Sequence, residues 1–357
     1  MDAKLRKRLR LIALQGVLIL GAALLALFAA ELMARKRFPD LRYSTSRQQR
    51  VEGLFVQFDP RYGWSNVPNR TVRFQRLEFD TEVSINEDGY RGPRIPVEPT
   101  PGRYRILVLG DSYVFGHGVD EEETFCSLVA ARLPESEVLN FGVVGYSTDQ
   151  ELMLLRDRGL RYRPDLVILG LYRNDILDNG HDTAWGLYRK PRFRMEPDGA
   201  LSLVSESVPD GVPLMIRLRR ELRRRFVLYG VVTYRLALRQ GQRESEKSIQ
   251  SSHALTRALV GAIAETSLDS GARFLLLMLP DLEADPELWE DLPGEKLDLD
   301  PVFAAFEATH SDSEVAYRYD LHWRPLGHRL VADTLAARIA PWISAQSDSS
   351  AEGSPRP

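Results

Sequence analysis

The chain has 357 residues, 44% apolar and 27% charged, which is room for one large domain or two modest ones of ordinary globular composition. Its 47 basic and 50 acidic side chains leave a net charge of -3, so no overall basic field argues for a nucleic-acid partner. A single cysteine, Cys126, excludes an internal disulfide and a cysteine-rich metal centre, and the six histidines are scattered without metal-ligand spacing.

The N-terminus "MDAKLRKRLR" is basic, and Leu11 to Ala30 is apolar apart from Gln15. At 1.5 Å per residue this run matches the hydrocarbon thickness of a bilayer, about 30 Å. A cleaved signal peptide needs small residues around its cut, yet Phe28 stands two before Ala30 and Glu31 follows. Residues 11–33 are therefore read as an uncleaved transmembrane helix. Lys4, Arg6, Lys7, Arg8 and Arg10 favour a cytoplasmic 1–10 segment, with the rest of the chain on the periplasmic or extracellular side. Arg35, Lys36 and Arg37 on the far side pull against that orientation.

Residues 34–103 read as a β-rich extension and linker. In "TEVSINEDGYRG", Val83 and Ile85 alternate with Ser84 and Asn86 before a glycine turn, and "PVEPTPG" is a short linker. The segment is too short for a large core of its own.

From Tyr104 the pattern changes to alternating strands and helices. "YRILVLG", "EVLNFG", "PDLVILGL" and "RFLLLML" are short apolar runs of the kind that fill a parallel sheet buried on both faces. Between them, "TFCSLVAARL", "STDQELMLLRDRGL" and Ser252 to Ser270 have helical spacing, and "LGHRLVADTLAARIAPWI" closes the domain at 343. Ser147 or Thr148 with Glu151 looks like a capping box. Such alternation predicts an α/β domain over 104–343, with helices on both faces and a site at the carboxyl ends of the strands.

An insertion of about 180–250 interrupts the domain. Its "PLMIRLRRELRRRFVLYG" places Leu214, Ile216, Leu218, Leu222 and Phe226 among Arg219, Arg220, Arg223, Arg224 and Arg225. The expectation is an amphipathic helix with its stripe on the core; a lid, or a helix resting on an anionic membrane or polymer, is the alternative. The tail 344–357 has a disordered composition.

Four motifs follow successive strands. "LGDSYVFG" presents Ser112; "LNFGVVGYSTDQ" offers Gly142 and Gly145; "LGLYRNDILDN" carries Asn174 and Asp175; "YDLHWRPLGHRL" sets Asp320 and His322 before the last helix. Each has an ordinary reading as a turn or helix cap. Together they supply a nucleophile, backbone and amide donors for an oxyanion, and an imidazole with an orienting carboxylate.

The set closely resembles the SGNH (GDSL-type) hydrolase superfamily, and "DPRYGW" with "VSINEDGYRG" resembles a front extension found on membrane-anchored bacterial members. The resemblance implies a flavodoxin-like three-layer α/β/α fold. It implies Ser112 as nucleophile, His322 as base and Asp320 as its orienting partner. The oxyanion hole would be the Ser112 and Gly145 N–H groups and the Asn174 amide, Gly145 being preferred to Gly142 because "GYST" resembles the family's Gly-x-[ST] segment. Asp111, His117, Arg173 and Asp175 are pocket candidates, and His328 is read as a helix-start residue. Two departures stand out: Tyr172 and Arg173 replace small residues, and the last block is Asp-x-His, an arrangement similar to that of SGNH-like polysaccharide O-acetyltransferases.

The expected function is a membrane-anchored extracytoplasmic serine esterase acting on an ester or acylated carbohydrate. The alternative is a polysaccharide O-acetyltransferase using the same site with a membrane acyl-donor partner. A non-catalytic tethered binding protein would need a missing catalytic residue, and none is missing. No cofactor is expected, because the turn after the first strand lacks the Lys-Ser/Thr ending of a phosphate loop.

Overall fold

A computed structural model describes residues 3–38, 51, 53–184, 188–209, 214–241, 246–282 and 286–351. In chain order, α1 (Ala3–Arg37) precedes two antiparallel hairpins, β1 (Val56–Asp59) with β2 (Gly63–Asn66) and β3 (Arg70–Gln75) with β4 (Asp80–Ile85). Then come β5 (Tyr104–Gly110), α2 (Ser112–Phe115), α3 (Phe125–Arg132), β6 (Ser136–Gly142), α4 (Thr148–Asp157), β7 (Leu166–Leu171) and α5 (Arg173–Asp178). Two small hairpins, β8 (Thr183–Ala184) with β9 (Tyr188–Arg189) and β10 (Phe193–Met195) with β11 (Leu201–Leu203), lead to α6 (Leu214–Arg225), α7 (Val227–Gly241) and α8 (Glu246–Asp269). The last elements are β12 (Arg273–Met278), β13 (Glu295–Asp298), α9 (Asp300–Glu307), α10 (Asp312–Val315) and α11 (Pro325–Ala351). The chain forms two compact units, Met1–Gln48 with Leu214–Glu244, and Gln49–Pro213 with Ser245–Pro357.

In the larger unit, five parallel strands lie in the order β13-β12-β7-β5-β6. Counted from β6, the sheet runs second, first, third, fourth, fifth, which is the flavodoxin-like winding. Alternate residues of each strand face opposite layers. Leu107, Leu169, Phe274 and Leu276 meet Leu152 and Leu155 of α4 and Leu259 and Ile263 of α8. Ile106, Val108, Ile168 and Leu277 meet Val129 of α3 and Leu335 and Ile339 of α11. Each such side chain contributes roughly 1.5–3 kcal/mol on burial, so continuously apolar strands are what a two-sided sheet requires. The predicted three-layer α/β/α architecture is the observed one.

Among the described residues from 53 on, the extension has no separate core: Phe55, Trp64, Phe74, Ile85 and Tyr90 join the first of these layers. Three details depart from the sequence reading. The edge strand β13, "EKLD", has no apolar run to announce it and is only half-buried. The box at α4 pairs Ser147 with Gln150, while Glu151 is buried instead. The final helix runs on through Ala351, past the point at 344 where composition reads as a disordered tail; 352–357 lie outside the described residues.

The smaller unit holds α1, α6 and α7. Leu11–Arg37 is long and apolar enough to cross a membrane. Near its end, the Glu31 carboxylate accepts the N–H groups of Val227 and Leu228 at 3.0 and 2.9 Å, and Ala34 packs on Val227 and Val231.

His328 sits at the start of α11, buried, and its Nδ1 accepts the Phe125 N–H at 3.3 Å. Burial, with Arg91 nearby, holds its pKa down to about 3 against the usual 6.5. The folded state therefore resists a proton that the unfolded chain accepts. Stability is fully present above pH 6.5 and falls as pH drops from 6.5 towards 3, by about 1.4 kcal/mol per unit for this group. His328→Gln keeps an acceptor for Phe125 but cannot titrate. Urea unfolding at pH 7 and pH 5 should show a shallower pH slope in that variant than in the wild type.

Candidate active site

Ser112 lies where β5 ends. Asp111 caps the single turn of α2, its carboxylate accepting the Tyr113 N–H at 2.9 Å, so Ser112 is the first helical residue. Gly116, at φ +83°, closes the turn. Gly142 at the end of β6 lets that turn approach: a Cβ there would sit 2.3 Å from the Phe115 nitrogen. Gly145 has φ +77°, a turn conformation that favours glycine. The two glycines thus have different structural duties.

The segment carrying Asp320 and His322 lies between α10 and α11. Leu321 between them is left-handed, at φ +69°, and both neighbouring side chains converge. Ser112 Oγ lies 2.7 Å from His322 Nε2, and His322 Nδ1 lies 2.6 Å from Asp320 Oδ1. This is the geometry in which a hydroxyl can pass its proton to an imidazole whose other N–H donates to a carboxylate.

Asp320 is more heavily engaged than the sequence suggests. His117 Nε2 is 3.4 Å from Oδ1, and Arg76 Nη1 is 3.5 Å from Oδ2. Burial opposes the charge, but His117 and His322 outweigh it and hold the carboxyl far below its usual range. His117, buried between the rings of Phe74 and Phe79, is itself held down to about 3 by burial and by His322, so it is neutral near neutral pH. The backbone is fixed too: the Glu78 carboxylate accepts the N–H groups of Arg318, Tyr319 and Asp320 at 2.9, 2.8 and 2.8 Å. Arg76 and Glu78 sit in the β3–β4 turn. Sequence reasoning missed them because a charged hairpin turn, "QRLEFD", reads as an ordinary solvated one.

Asn174 is the second residue of α5, after β7. Its amide hydrogen-bonds to the Asp111 carboxylate. Asp111 is pushed up to about 6 by burial, partly offset by the Tyr113 N–H and by His322. Glu151 and Asp175 are raised well above the carboxylate range by burial and by neighbouring carboxylates, Asp111 and Asp149 acting on both, and Asp149 pairs with Lys190 in the interior.

Of the four pocket candidates, the structure puts Arg173 on a cavity wall and the other three inside. Asp175 is spent on the Tyr172 N–H at 2.8 Å, Asp111 on capping α2, and His117 on Asp320. The cavity, about 940 Å³, is bordered by Tyr113, Arg173 and Leu321, the immediate neighbours of Ser112, Asn174 and His322. Tyr172, Phe303 and Trp323 supply aromatic faces, and Asp281, Asp300, Glu307 and Asp312 supply carboxylates. His117, Asp320 and His322 offer possible metal ligands within 4.8 Å of one another. However, both His322 nitrogens are already engaged, with Asp320 and Ser112.

Residues 108–330 match the model of the GDSL-like lipase/acylhydrolase family, a span of more than half the chain. No curated protein matches. Among solved structures, the chain is distantly similar to TesA (15% identity, TM-score 0.39, covering 66% of this chain and 98% of that one). It is also similar to the psychrotrophic esterase EstA from Pseudoalteromonas sp. (15%, 0.37, 67% and 98%). A third is Axe2, an acetylxylan esterase from Geobacillus stearothermophilus (13%, 0.39, 66% and 94%). With its motifs, its strand order and the family match in agreement, the chain belongs to the GDSL-like lipase/acylhydrolase family of SGNH-type hydrolases that act on ester bonds.

Proposed function

We propose that the protein is a membrane-anchored, extracytoplasmic serine esterase that removes O-acyl groups from carbohydrate, with Ser112, His322 and Asp320 as its triad. The observation that carries this reading is the continuous chain of contacts from Ser112 Oγ to His322 to Asp320, at 2.7 and 2.6 Å. In the first step Ser112 Oγ attacks the ester carbonyl while its proton moves to His322 Nε2. The proton then passes to the departing alcohol as the tetrahedral intermediate collapses to an acyl-serine. Water, deprotonated by His322, attacks the acyl-serine, and collapse of that second intermediate frees the acid and returns the proton to Ser112.

The oxyanion would be met by the N–H groups of Ser112 and Gly145 and by the Asn174 amide. That amide has two hydrogens, and Asp111 uses one, which fixes the orientation of the other. Arg76, Glu78 and His117 are positioning residues that act through Asp320. The adjoining cavity supports a hydroxyl-rich alcohol portion, because rings next to carboxylates suit stacking and hydrogen bonding to sugars better than packing of a long acyl chain. Anchoring rests on α1, one unbroken helix through Arg37 whose end bonds to α7. Transfer of the acyl group to a sugar hydroxyl would use the same residues, and it is favoured by the Asp-x-His spacing together with the cavity's room for an acceptor.

Ser112→Ala should abolish p-nitrophenyl acetate hydrolysis while circular dichroism stays native; retained turnover would sink the assignment. Asn174→Ala should lower kcat by roughly 10²-fold, and an unchanged rate would remove that amide from the site. Glu78→Gln should lower kcat roughly ten-fold with KM little changed, because three N–H donors to a charged acceptor lose strength together. The same variant should show faster amide exchange at 318–320. Adding an acetyl-accepting oligosaccharide separates the two chemistries: sugar-independent release means hydrolysis, and acetyl mass gained by the sugar means transfer.

A further inference from the structure

The smaller unit holds a surface that the reaction does not use. Helix α6 carries six arginines and one glutamate in twelve residues. The stripe formed by Leu214, Met215 and Leu218 is 72%, 59% and 48% exposed, so it is not laid on a core as the sequence predicts. Leaving an apolar stripe in water is costly, and the exposed Arg217, Arg219, Arg223 and Arg225 on the same helix suit a partner that is apolar below and anionic above.

The end of α6 is tied to the end of the apolar span. Arg35 Nη2 donates to the Arg225 carbonyl at 3.0 Å and its Nε to Glu31 at 2.7 Å, while Glu31 also takes the first N–H groups of α7. Arg35, Lys36 and Arg37 mark the level at which the span gives way to charge. With α1 across the bilayer, that level is the headgroup layer, and α6 ends at it.

We infer that α6 lies in the membrane interface, with Leu214, Met215 and Leu218 in the acyl region and its arginines on anionic lipid headgroups. The inference rests on the reading of α1 as an anchor. An anionic polysaccharide could meet the arginines but gives the apolar stripe no cover, so the lipid is the occupant favoured here. An arginine near an anionic surface shifts a bound population roughly five-fold. Reversing two of them should therefore release the helix.

Cys126 is buried, so Leu218→Cys in the full-length chain offers one accessible site for an environment-sensitive fluorophore. The labelled protein is reconstituted into phosphatidylcholine vesicles with and without phosphatidylglycerol. Blue-shifted emission and shielding from iodide in the anionic vesicles, lost in an Arg219→Glu, Arg223→Glu variant that still hydrolyses p-nitrophenyl acetate normally, is the expected result. Equal iodide access in both vesicles overturns the inference and leaves the anchor standing. Shielding produced only by a soluble anionic polysaccharide overturns it in favour of a polymer. A chain that alkaline carbonate strips from the vesicles overturns the anchor and this inference together.

Discussion

The buried negative charge of Asp320 is the constraint on which the site depends. Taking a carboxylate out of water costs several kcal/mol unless other groups replace its hydration. Here the replacement comes from His322 and His117 on one oxygen and Arg76 on the other. Only His322 belongs to the motif a reader would look for. The segment Tyr317–His322 is a turn with a left-handed residue in it, closed by backbone bonds from Tyr317 to His322 and from Leu321 to Tyr317, while Arg318, Tyr319 and Leu321 are exposed. The extension ahead of the α/β domain adds the contacts that hold its carboxylate side.

The same extension grips the opposite loop by the opposite charge logic. Glu78, an anion, collects three N–H groups from the segment bearing Asp320. Arg91, a buried cation, collects the carbonyls of Phe115, Gly116 and Val119 just after Ser112, and its Nε reaches Glu121 at 3.0 Å. The two loops that must meet within a hydrogen bond of each other are thus stapled to one small β element, whose aromatic residues are sunk in the core beneath them. A segment that looks like a cap is, in packing and in polar contacts, a wall of the site.

How much of this was legible follows from the range of each signal. The parallel sheet was readable because a strand buried on both faces must be apolar, as β7 is throughout and as β5 and β12 are beyond Arg105 and Arg273. The edge strand β13 was not, because one open side leaves its composition free. Ser112 and Asn174 were readable because each follows a strand at the sheet's carboxyl edge, and Asp320 and His322 because they stand together just before the last helix, although α9 and α10 separate them from β13. Arg76, Glu78 and Arg91 were not, since their partners lie 244, 240 to 242, and 24 to 30 residues away. No local pattern encodes such contacts. The exposed stripe of α6 was misread for a related reason: periodicity identifies an apolar face but does not say what covers it.

The interior behind Ser112 raises a question of sign. An oxyanion forming beside Asp111, Glu151 and Asp175 would be repelled if all three were ionised, and the imidazolium would be held too tightly to return its proton. Burial settles most of this. It raises Glu151 and Asp175 well above the carboxylate range, which opposes their ionisation, and Asp149 is matched by Lys190. Asp111, at about 6, is the member of the group that ionises near neutral pH, and its charge is drawn off by the Tyr113 N–H and the Asn174 amide. On the proposed assignment of the Asn174 amide to the oxyanion, the residual charge acts through that donor, so that a carboxylate beside an oxyanion would serve to aim the amide that stabilises it.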